Sequence, residues 1–304
     1  MHMATAEEKR DPIALADLSD SLVDAWRVVA RQGGAGARPG SQAALDATEA
    51  QRELPAAGAN EEHAAGYMSG RMVDAIALLL QSVGTQLRAE PLVPLAVWPL
   101  VRAELEHAGR VAWLLQPLKG SGAASRRVAR AMLEHASALQ RDKYTASKHS
   151  TPLAKALKRD RDNLLRRIGS LFSDVDTPLD GPEKIAEWRI GGETMLGLGR
   201  AIDLFVSLNF TKGSGVYDVL SDRSHPSVTS LASQSVAEES EGVTSWSYPV
   251  NPDVLDFQVR LGCLILYKTA HTIASYYGLD ASALESWAEE APAHWLNEDP
   301  AAAS

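Results

Sequence analysis

Residues 251–278, "NPDVLDFQVRLGCLILYKTAHTIASYYG", constrain the fold more than any other stretch. Three helix-start signals stand in a row: Asn251 to cap, Pro252 at the first helical position and Asp253 facing the positive end of the helix dipole. Between Leu261 and Ile273 the segment is apolar nearly all round, and it runs to Gly278. A helix without a polar face must be enclosed by other elements. The chain is therefore predicted to be all-α, a multi-helix bundle built around this central helix. With 304 residues, 45% of them hydrophobic, there is material for such a core.

Apolar residues at three- and four-residue steps predict further helices over 13–31, 61–89, 92–116, 122–147, 151–173 and 182–207. The Gly-, Ala- and Pro-rich stretch 32–60 reads as a long flexible loop with at most one short helix. Residues 240–250 read as a loop or short extended piece, and the acidic end, 291–304, as a disordered tail. The expected organisation is an N-terminal helix (1–31), the flexible loop, a main bundle (61–290) and the tail.

One cysteine, Cys263, excludes an internal disulfide and a multi-cysteine metal site, and fits a cytoplasmic protein. The opening residues lack a cleavable leader pattern, and no apolar run approaches bilayer length, so no membrane association is expected. The net charge of −9 argues against a general nucleic-acid binder. Residues 126–167 nevertheless hold twelve Lys/Arg against four acids, leaving −17 for the remainder. That segment reads as a solvated hairpin with paired charges, or as a basic face on which Lys143, Lys148 and His149 would hold an anion.

Two segments concentrate reactive side chains. On a 100° wheel of residues 92–116, Val97, Val101, Leu105, Ala108, Ala112 and Leu115 form the core stripe, and Glu104 falls at its edge. A carboxylate there must be paired, metal-bound or protonated. It reads either as half of a structural salt bridge or as a functional acid/base. Arg102 projects beside Trp98 and Trp113, and Glu106, His107 and Arg110 are expected on the outer face. The second segment is "YDVLSDRSHP", 217–226, where Pro226 ends a helix at His225. A histidine at a helix C-terminus is favoured in its protonated form, so His225 is a candidate acid/base, with Tyr217 and Ser221 as ligand-orienting partners. His271 and Cys263 read as core residues.

The pairing of "LVRAELEHAGRVAWLLQP" (100–117) with "YDVLSDRSHP" resembles a group of all-helical actinobacterial proteins. These carry an Arg-x-Glu helix ending in Trp-Leu-Leu-x-Pro and a later Tyr-x-x-Leu-Ser-x-x-x-His. The resemblance implies that Arg102, Glu104 or Glu106, Trp113, Tyr217, Ser221 and His225 meet in space. It extends distantly to HEPN-type RNases, whose Arg-x(4–6)-His spacing is met by Arg102 and His107. His-Glu-x-x-His, P-loop and GxGxxG patterns are absent, and one Glu-x-x-His falls short of a di-iron site, so no metal or cofactor is expected. The expected function is binding of a small organic, anionic ligand in an interior polar pocket, with acid/base turnover by Glu104 and His225. Arg102, Tyr217, Ser221, Trp113, Lys148 and His149 are its ligand-binding candidates. The alternative is a HEPN-type RNase or a non-catalytic defence module using the basic face, with nucleic acid as partner. Homodimerisation through an exposed helix face is a further expectation.

Overall fold

The structure is a computed structural model that describes residues 11–90, 92–118, 120–179, 182–211, 215–224, 235–240, 243–247 and 249–296. Among these residues the chain is an all-α bundle of twelve helices with five short strands. In chain order the helices are α1 (Pro12–Gln32), α2 (Gln42–Glu53), α3 (Ala59–Glu62), α4 (Ala64–Leu87), α5 (Val97–Leu115) and α6 (Ala123–Ala146). There follow α7 (Thr151–Leu171), α8 (Leu198–Asn209), α9 (Val216–Ser224), α10 (Pro252–Tyr277), α11 (Ser282–Glu290) and α12 (Ala293–Leu296). No described helix is long and apolar enough to cross a membrane.

The boundaries of α10 follow its sequence. The Asn251 side chain accepts from the amides of Asp253 and Val254 at 3.0 and 3.3 Å, and Gly278 closes the helix at φ 69°. α10 packs against α1, α4, α5 and α2, which cover its apolar surface. α5 is enclosed as well, by α4 and α10 on one side and α8, α9 and α6 on the others. Trp98 meets Phe257, Glu104 meets Gly262, and Val111 and Leu115 share a cavity with residues 267–276. α5 and α10 thus run side by side in the same direction. Gly109 lets α8 approach closely, since a Cβ there would stand 2.8 Å from the Ile202 amide nitrogen.

The helix predicted over 182–207 is a correction. Residues Pro182–Glu187 form a 3₁₀ turn, and β1 (Val175–Asp176), β2 (Arg189–Ile190) and β3 (Glu193–Thr194) make a small antiparallel meander. Gly191 and Gly192, at φ 56° and 74°, supply the two left-handed residues of a tight hairpin, and helix resumes only at Leu198. Residues 240–250 include β5 (Val243–Ser247), paired antiparallel with β4 (Val236–Ser240). The stretch 32–60 carries its short helix as α2, whose Ala43, Asp46 and Ala50 are buried. The expected tail also differs. Trp295 in α12 is buried and its indole donates to Asp256 at 3.1 Å, so the described part of 291–304 is packed onto α10.

Candidate functional site

α5 brings two polar arrangements to different neighbours. On the side facing α9, Arg102 Nε donates to Glu106 Oε1 at 3.0 Å, one turn along the same helix. Its Nη2 donates to the Tyr217 hydroxyl at 3.3 Å, and the guanidinium carbon lies 5.5 Å from the Tyr217 ring centroid. The Tyr217 hydroxyl donates in turn to Glu106 Oε1 at 3.4 Å. Arg102, Glu106 and Tyr217 thus clasp α9 to α5. The clasp is partly solvated, which limits its worth. Ser221, one turn beyond Tyr217, is half-buried in α9. His225 lies outside the described residues.

Glu104 faces the other way. It is fully buried between α4, α5 and α10, and neither carboxyl oxygen has a hydrogen-bond partner. Gly262 of α10 makes room for it: a Cβ there would stand 2.9 Å from Oε2 and 3.3 Å from Leu80 Cδ1. Burial pushes the Glu104 pKa well above the usual carboxylate range and so favours the neutral acid. Next along α10, burial also raises the Cys263 thiol pKa, and its Sγ lies 3.7 Å from Ser19 Oγ. A thiol held in this way is a poor nucleophile. Glu104 and the Arg102–Tyr217 clasp therefore occupy separate faces of α5.

A cavity of about 520 Å³ opens where the start of α5, α9 and the start of α10 converge. Trp98, Leu95, Val219 and Phe257 give it an apolar and aromatic wall, with Arg223 and Asp253 as charged members. Gln258 belongs to this wall. It is fully buried, and neither its amide oxygen nor its nitrogen has a partner. An amide buried in this state costs about 1–3 kcal/mol, and structures retain few of them. The sequence does hold a signal for Gln258, which stands on the helix face shared by Leu255, Val259 and Gly262. It precedes the uniformly apolar run by three residues.

The remaining candidates are dispersed. Trp113 is buried, and its carbonyl accepts from Arg130 Nη1 at 2.6 Å. Lys148 and His149 are exposed in the α6–α7 turn, with the Lys148 ammonium 4.5 Å from the Tyr144 ring centroid. Three arginines of the basic segment point inward rather than forming a continuous basic face. Arg127 binds Asp46 of α2, Arg130 binds Glu193 of β3, and Arg161 binds Gln140 and Asp162. Arg126, Arg141 and Arg167 pair with Glu193, Glu134 and Glu61. Arg110, expected on the outer face of α5, is buried; it donates to the Leu196 carbonyl at 2.6 Å and stands 3.5 Å from Glu134. At that length the Arg110–Glu134 pair is an ion contact without hydrogen-bond geometry, consistent with Glu134 Oε2 lacking a partner. Burial lowers the His107 pKa, opposed by the carboxylates of Glu106 on its own helix and Glu134 of α6, while Arg102 engages α9.

Compared with protein-family models, curated proteins and solved structures, the chain matches none of them.

Proposed function

We propose that this chain binds a small, largely apolar organic molecule in the cavity between α5, α9 and α10, using the amide of Gln258 to select it. The observation that carries this reading is Gln258, a residue lining the 520 Å³ cavity, whose buried amide leaves both its donor and its acceptor unused. A molecule that offers a donor and an acceptor side by side would repay the desolvation of both. Lactams, carboxamides and the edges of nucleobases have that shape. Trp98 and Phe257, with ring centroids 6.5 Å apart, favour a flat ligand. Arg223 and Asp253 give the wall one charge of each sign, so recognition falls to the amide rather than to net charge. Glu104 is not among the residues lining this cavity, so the proposal is one of binding without acid/base turnover.

The test compares thermal stability of wild type and Gln258→Leu, with and without benzamide, uracil or caprolactam. Wild type is expected to gain stability with at least one of them. Gln258→Leu is expected to be as stable as wild type or more so without ligand, because it removes an unpaired amide of similar volume, and to lose the response. A Gln258→Leu protein less stable than wild type, together with a wild type indifferent to all three compounds, would sink the reading.

A further inference from the structure

A second cavity, of about 660 Å³, lies toward the C-terminal half of α10, between α5, α6 and α8. Its wall includes Arg127, which α6 carries inward with only 5% of its side chain exposed. The guanidinium is half used. Nη1 donates to both oxygens of Asp46, at 2.7 and 2.9 Å. Nη2 reaches only the Gln116 carbonyl, at 3.5 Å, and Nε has no partner. Nε and Nη2 share one edge of the planar group, a pair of parallel donors that matches the two oxygens of a carboxylate. Among the described residues, then, this edge has the Gln116 carbonyl on Nη2 and no acceptor on Nε, which is itself buried.

The charges around it decide the kind of anion. Asp46 is satisfied by three donors, Arg127, Gln42 at 2.8 Å and the Tyr276 hydroxyl at 2.9 Å, and it neutralises the Arg127 charge. Lys268, on the same wall, adds one positive charge. His271, also on the wall, has a buried Nε2 without a partner and is held neutral because burial lowers its pKa. Among the wall's own residues and Asp46 the excess is a single positive charge, with the Glu285 carboxylate acting on His271 and Tyr267 from outside it. A phosphate dianion close to Asp46 would exceed that single charge; a monocarboxylate matches it. Val111, Leu115, Phe205 and Leu208 supply apolar wall for the rest of such a molecule.

We propose that this cavity is a binding site for a small organic monocarboxylate with an apolar tail, its carboxylate held on the Nε–Nη2 edge of Arg127 and attracted by Lys268. The site is independent of Gln258 and of the ligand proposed for the other cavity.

The experiment titrates the full chain with hexanoate and benzoate by calorimetry at constant ionic strength. Chloride, hexanol and benzyl alcohol serve as controls. Wild type is expected to bind at least one of the two acids and neither alcohol. Arg127→Lys keeps a cation for Asp46 but loses the second donor edge, and is expected to bind about tenfold more weakly. Lys268→Glu, on a partly exposed residue, preserves folding and is expected to weaken binding by a similar factor. Gln258→Leu is expected to leave the affinity unchanged. Absence of binding to wild type overturns the proposal, as does wild-type affinity in Arg127→Lys and Lys268→Glu. Loss of binding in Gln258→Leu also overturns it, by placing the acid in the other cavity. Should Arg127→Lys fail to fold, Lys268→Glu decides between the same outcomes.

Discussion

At the scale of single residues, Glu104 shows how a carboxyl survives inside a bundle without a partner. The only route left is protonation, and the folded-state pKa lies above the unfolded one because burial disfavours the anion. The sign of the consequence follows from linkage. Below the unfolded value near 4.5 the side chain is neutral in both states and costs nothing extra. Above it, the unfolded chain releases a proton that the folded chain keeps, so stability falls as pH rises, by up to about 1.4 kcal/mol per pH unit. Glu104→Gln removes that slope. Urea denaturation from pH 4 to pH 8 should give nearly equal stabilities at the acid end and a variant more stable than wild type at the alkaline end. Parallel curves across the range would mean that the Glu104 pKa is unshifted, and a wild type that gains on the variant as pH rises from 4 would mean that Glu104 is charged and paired. Gly262 belongs to the same fit: Gly262→Ala should destabilise by about 1–3 kcal/mol, since its Cβ would press on the Glu104 carboxyl. Combining it with Glu104→Ala should recover part of that loss.

At the scale of elements, α9 is the weakest attachment around the proposed amide-selecting cavity. Only Leu220 of its nine residues is fully buried, and the Arg102–Glu106–Tyr217 clasp supplies its polar contact with α5. Tyr217→Phe keeps the ring and its cation–π contact but removes the hydroxyl, so a loss near 1 kcal/mol or less is expected. Leu220→Ala should cost about 2–5 kcal/mol of α9 docking. Amide hydrogen exchange then separates local from global effects: residues 216–224 should lose protection in Leu220→Ala while α4, α5 and α10 keep theirs. A uniform loss of protection would mean that α9 is part of the cooperative core. The pairing of residues 100–117 with 217–226 was expected from the resemblance of those two segments to a helical protein group, and in the described part Tyr217 does meet Arg102 and Glu106. Which carboxylate would meet Tyr217 was not legible beforehand. Glu104 and Glu106 are two residues apart, so they project about 200° apart, and only packing by α4, α8, α9 and α10 decides which of them faces α9. The hairpin at Gly191–Gly192 was missed for a different reason. Leu196, Leu198, Ile202 and Phe205 keep a helix-like apolar spacing that the eye extends backwards, although two adjacent glycines are a turn signal in their own right.

At the scale of the whole molecule, the uneven charge of the sequence resolves into buried cross-links. The +8 segment contributes Arg127, Arg130 and Arg161 to the interior, each held by a polar group of another element or of its own helix. Composition showed the charge imbalance but could not show its direction. An arginine that faces inward on α6 has the same local sequence as one that faces water, and its partners lie 81 and 63 residues away. Asp46 was hidden more deeply, since a single aspartate in an Ala- and Gly-rich stretch carries no periodic signal. Yet it joins three parts of the fold: α2 by its own position, α6 through Arg127 and α10 through the Tyr276 hydroxyl. Removing one partner of a buried charge pair leaves the other uncompensated, at a cost of about 3–5 kcal/mol. Asp46→Ala should therefore lower global stability by that order, with Arg127 left unpaired beside the second cavity. It should also release α2. Trypsin should then cleave rapidly after Arg52, which wild type holds within the helix. A freely moving 32–60 segment would behave oppositely, with fast cleavage after Arg52 in wild type and no effect of Asp46→Ala on stability.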